Sequence, residues 1–147
     1  MQLETTQALD DMYNFKFAQA EKQFRWLKQK YPWHPLPYFL MGLSTWWQIM
    51  PDLNNHANDQ RFVRQMDSTI LIAERLHRTP EYRIEASFFL AAAYGFKGRL
   101  YSDEKRTNWV KAAAAGKSAL SYLEEARAGS TLSPELLFGD ALYNYFS

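Results

Sequence analysis

The sequence predicts an all-α fold, a single domain of about seven helices stacked as antiparallel helical hairpins. Three observations carry this. Apolar residues recur at three- and four-residue intervals through nearly every segment, the period of one helix face. Strand-like alternation is absent, and turn signals lie too far apart for an all-β fold. The connections are short relative to the helices, which favours antiparallel neighbours. A chain of 147 residues suits one domain that buries roughly 70% of its unfolded surface.

Taken in order, the first helix is expected over residues 4–13, with Leu9, Met12 and Tyr13 as its apolar face. The second covers 16–30, where Phe17, Ala20, Phe24 and Leu27 form one stripe. Pro32, Pro35 and Pro37 end it and open the third helix, over 36–49, because proline suits a first turn but not a helix interior. That helix halts near Pro51. A loop rich in turn formers follows, with Asn58 or Asp59 as the N-cap of a fourth helix over 60–77. Phe62, Met66, Ile70, Ala73 and Leu76 are its inward residues. Thr79-Pro80 opens the fifth helix, 81–97, and a polar stretch from Gly98 leads to the sixth, 106–127. Gly129 ends the sixth, and Ser133-Pro134 starts a seventh.

Composition narrows the function. A net charge of +1 gives no electrostatic reason for nucleic acid or an anionic membrane as partner. The absence of Cys removes disulfides, thiolate catalysis and thiolate metal sites, and suits the cytoplasm or an export compartment equally. No apolar run reaches membrane-spanning length. The N-terminus has no basic start or apolar core, so it does not read as a signal peptide. The C-terminus stops inside an apolar periodic segment, the expectation for a piece of a longer chain. Aromatics reach 16%, so rings either fill the core or line a surface.

The helices carry an imperfect repeat. Phe17, Ala20, Phe24, Leu27 and Pro32 give a small residue, a ring four positions later and a closing proline. Tyr38, Met41, Gly42 and Thr45 give a large residue, a small-residue slot and a further position; Phe89, Ala92, Ala93 and Phe96 do the same, as do Glu135, Phe138, Gly139 and Leu142. Met66, Ile70 and Ala73 echo the first set, as do Trp109, Ala112, Gly116 and Ala119. The small-residue slots Ala8, Gly42, Ala93 and Gly139 are spaced by 34, 51 and 46 residues. This pattern resembles the tetratricopeptide repeat, whose period is about 34 residues. The resemblance implies a right-handed superhelix with repeats over 1–34, 35–80 and 81–130 and a capping or truncated helix over 131–147. It also implies a non-catalytic protein-interaction scaffold, of a kind common in bacteria, including exported forms.

In that family the first helix of each hairpin lines a concave face. The resemblance therefore implies partner-binding positions at Leu9, Met12 and Tyr13; at Phe39, Leu43, Trp46 and Trp47; at Leu90, Tyr94 and Lys97; and at Leu136, Asp140 and Tyr143. The set is largely apolar, which suits a peptide with apolar anchors or an amphipathic helix. The alternative is a groove filled by the chain itself or by a second copy in a homodimer.

Nothing points to catalysis, a metal or a cofactor. His34, His56 and His77 lack metal-ligand spacing and read as loop or surface residues. Asp10-Asp11 and Glu124-Glu125 splay apart as adjacent helical pairs. There is no nucleophile elbow and no phosphate loop. Lys97, Arg99, Lys105, Arg106 and Lys111 form one basic cluster, a solvated loop or a seat for a phosphate or an acidic segment.

Overall fold

The computed structural model describes residues 17–103 and 106–130, with Ser133, Glu135, Leu136 and Gly139 beyond them. The described chain is all-helical, without strands. Its helices are α1 (Phe17–Lys30), α2 (Leu36–Ile49), α3 (Asp59–His77), α4 (Arg83–Tyr101) and α5 (Trp109–Gly129), with a 3-10 turn at Pro80–Tyr82. The expected first helix and most of the seventh lie outside the described residues.

Each helix packs chiefly on its neighbour in sequence, and α2 also reaches α4. The pairs run antiparallel. Gln48, late in α2, donates to Glu21, early in α1, at 3.1 Å. Arg61, early in α3, donates to the same Gln48 at 3.1 Å. Gly98, late in α4, lies against Ala112 and Ala115, early in α5. The core is one continuous cluster that includes Phe24, Leu40, Phe62, Met66 and Phe89, all buried. Full burial of each such side chain contributes about 1.5–3 kcal/mol.

The small residues explain how closely the helices approach. A Cβ added to Gly42 would stand 2.6 Å from the Met66 Cε of α3, so the missing side chain is the space Met66 occupies. At Gly98 an added Cβ would lie 3.6 Å from the backbone of Ala112 and of Gly116, so here two backbones nearly touch. Gly98 therefore does not stop α4. The helix continues to Tyr101, burying Leu100, one turn beyond the expected end. At Gly139, matched by sequence to the Gly42 slot, an added Cβ would meet nothing within 4 Å among the described residues.

Two further boundaries differ from expectation. Asn58 occupies the N-cap position of α3 with near-helical backbone and makes no side-chain cap. The Asp59 carboxylate is engaged by Arg106 instead. Helix α5 begins at Trp109, not 106, because Asn108 caps it by accepting the Lys111 N–H at 3.3 Å. This leaves Arg106 in the loop, free of the helix geometry.

Candidate functional site

The residues assigned to a groove separate into three groups. Phe39, Trp46 and Leu90 are core residues. The Phe39 ring meets Phe89 at 6.0 Å and Phe96 at 5.8 Å, and Trp46 meets Phe96 at 5.2 Å and Phe62 at 5.3 Å, all between ring centroids. The stripe of α2 expected to face a ligand thus faces α4. Tyr94 and Lys97 also turn inward to neighbours: Tyr94 stacks on Tyr122 of α5 at 6.1 Å, and Lys97 bridges Asp67 of α3 at 2.6 Å. Burial, then Glu74, Tyr122 and Asp67, push the Tyr94 hydroxyl above its ordinary pKa. Leu43 is half-buried, Trp47 is 37% exposed, and Leu136 is exposed. Leu9, Met12, Tyr13, Asp140 and Tyr143 lie outside the described residues.

The open side of α4 is a different line. Ala92, Gly95, Phe96 and Arg99 border a shallow, mainly apolar depression of about 290 Å³. These residues follow one another at helical spacing on the side of α4 away from Tyr94. The sequence hides this choice because α4 is apolar almost all round and touches α2, α3 and α5.

His34 and His56 are loop residues and His77 ends α3, partly exposed, but two of the three are engaged by neighbours. His34 is fully buried in its loop. Its Nδ1 accepts the Leu36 N–H at 3.0 Å, satisfying a donor at the start of α2. Its Nε2 lies 3.4 Å from a Glu85 carboxylate oxygen, and its ring edge meets Phe89. His77 ties α3 to α5 through Glu125 at 2.8 Å. His56 is exposed in its loop, as expected.

The basic cluster is also divided. Arg106 grips Asp59 with two bonds, Nε to Oδ2 at 2.8 Å and Nη2 to Oδ1 at 2.7 Å. Its Nη1 donates to the Leu53 carbonyl at 2.8 Å and to Asp103 at 3.0 Å. The bond to Asp59 holds the guanidinium above its ordinary pKa, against the opposing effect of burial. The anchored loop carries Thr107 at φ 46°, a left-handed conformation that costs a β-branched residue of order 1–3 kcal/mol. The Thr107 N–H bond to the Asp103 carbonyl, 2.8 Å, helps hold it.

Beside this anchor opens a cleft of about 610 Å³. Arg64, Lys111, His56 and Asn108 line it, with Val63, Leu100 and Tyr101 as walls. Sequence reasoning missed Arg64, which lies 47 positions from Lys111 on a different helix yet lines the same cleft. Among the described residues no group of three metal-ligating side chains occurs, and no helix is long and apolar enough to cross a membrane.

Set beside protein families, curated proteins and solved structures, the chain matches none.

Proposed function

We propose that this chain is a non-catalytic protein-interaction module of tetratricopeptide-like type, in which stacked hairpins extend into a right-handed superhelix. Support comes from contacts between alternate helices. The leading helices α2 and α4 meet through Phe39, Phe89 and Phe96, and the second helices α3 and α5 meet through His77 and Glu125. Ala20 and Ala93, two of the small positions of the repeat, are fully buried.

The observation that carries the binding proposal is the apolar depression of α4 along Ala92, Gly95 and Phe96, with Arg99 at its edge. It suits an apolar peptide segment or amphipathic helix, with an acidic residue placed against Arg99. A photo-crosslinking residue placed at Gly95 tests this, with one at exposed Gln29 as the control. One defined adduct from Gly95 and none from Gln29 is expected. The same adducts from both positions, or none from Gly95, refutes the reading.

One observation favours a second reading, self-association. Trp109, Val110 and Leu120 of α5 are 62%, 82% and 63% exposed. Trp109, Ala113, Gly116 and Leu120 are spaced four, three and four residues apart, which reads the same in both directions. An antiparallel second copy of α5 would lay Trp109 over Leu120 and Ala113 over Gly116, an isologous contact. Sedimentation equilibrium separates the two: a strict monomer at high concentration removes the dimer.

A further inference from the structure

We infer that the cleft between the N-terminal turns of α3 and α5 binds a phosphate monoester, independently of the α4 depression. Asp59 is the one carboxylate among the described residues lining the cleft, and both its oxygens are taken by Arg106. The remaining polar groups are mostly donors. Among the described residues, Arg64 and Lys111 have no carboxylate partner; Lys111 lies over the Tyr101 ring at 5.6 Å. Asn108 spends its side-chain oxygen on the Lys111 N–H, which leaves its amide NH2 as a donor. His56 adds a further ring nitrogen.

Two cations face one cleft whose carboxylate is already paired, and an anion relieves their repulsion. A phosphate monoester fits better than a carboxylate. It brings three terminal oxygens and a charge of about −1.5 to −2 near neutral pH, enough for Arg64, Lys111 and the Asn108 amide together. The volume, about 610 Å³, exceeds what a bare oxyanion fills. Val63, Leu100 and Tyr101 supply an apolar wall for the organic group that bears the phosphate. Arg106 is not a ligand in this scheme. Its bonds to Asp59, Asp103 and Leu53 hold the loop that carries Asn108.

The test is an NMR titration of the full chain with phenyl phosphate, inorganic phosphate and, at matched ionic strength, acetate. Saturable shifts at Gln60–Arg64 and Asn108–Lys111 are expected, tightest for phenyl phosphate and weakest for acetate. Both cations are exposed, so Arg64→Gln and Lys111→Gln should fold normally and each weaken phenyl phosphate by about tenfold. Cosedimentation with phosphatidic acid vesicles identifies the source of the phosphate. Vesicle binding lost in Arg64→Gln assigns a lipid headgroup, and saturable phenyl phosphate binding without vesicle binding assigns a soluble ligand. Either result supports the site. Shifts that sodium chloride reproduces, shifts unchanged by both variants, or no saturable shift with any phosphate overturn it.

Discussion

Arg106 and Asp59 are 47 positions apart in the chain, yet they form a two-pronged ion pair with bonds of 2.7 and 2.8 Å. The pair ties the loop before α5 to the first turn of α3. Both side chains are largely removed from solvent, at 7% and 19% exposure. Removing the cation strands Asp59 and Asp103 together. Arg106→Met is therefore expected to destabilise the chain by about 3 kcal/mol, and Asp59→Asn added to it should restore part of that loss. Urea denaturation of the two variants checks it. Equal stability of Arg106→Met and the parent rules out a structural role for the pair.

Gly42 faces the end of a flexible side chain rather than a backbone. The small-residue slot at Gly42 admits a side-chain end, the Met66 Cε. Gly42→Leu should cost about 1–3 kcal/mol net, since overpacking outweighs the gain in helix propensity. Met66→Ala in the same chain should make room for the leucine. A double-mutant cycle checks it: purely additive losses would mean Met66 is not the obstacle.

Ser44 is buried, and among the described residues its hydroxyl has no hydrogen-bond partner. Ser44→Ala removes an unsatisfied group with little change of shape. A stability gain of about 1 kcal/mol is expected, read as a rise in thermal midpoint. A loss would show that the hydroxyl has a partner in solution.

Tyr94, Tyr122 and Tyr38 all have hydroxyls pushed above the ordinary value of 10.0, chiefly by burial. The folded state therefore holds these protons more tightly than the unfolded state. Their contribution to stability is complete below pH 10 and is lost as pH rises through the folded-state values. Unfolding free energy should decline above pH 10, and Tyr94→Phe should flatten that decline. Denaturation at several alkaline pH values checks the slope, and an unchanged slope in Tyr94→Phe contradicts the assignment.

The helices were legible because each carries a clear period and a chemical stop. The third expected helix, 36–49, coincides with α2, and the second, 16–30, ends where α1 ends. Failures came where a distant partner overrides a local signal. Gly98 reads as a break but serves the approach of α5. Asn58 reads as a cap, but its neighbour Asp59 is bound to Arg106. The site was less legible for the same reason. Phe39 and Trp46 fit a ligand-facing stripe equally well whether the facing surface is a peptide or α4, and only Phe96 in place decides it. The polar cleft was half-seen: Lys111 stood out in a basic run, whereas Arg64 came from another helix.

The most direct test is the affinity of the partner trapped at Gly95 for two variants, Ala92→Glu and Leu120→Glu. A charge at Ala92 enters the depression of α4, whereas Leu120 lies on α5 outside it. The expected result is a loss of at least about tenfold for Ala92→Glu, with Leu120→Glu binding like the parent. Parent-like affinity of a folded Ala92→Glu chain would contradict the proposed binding face.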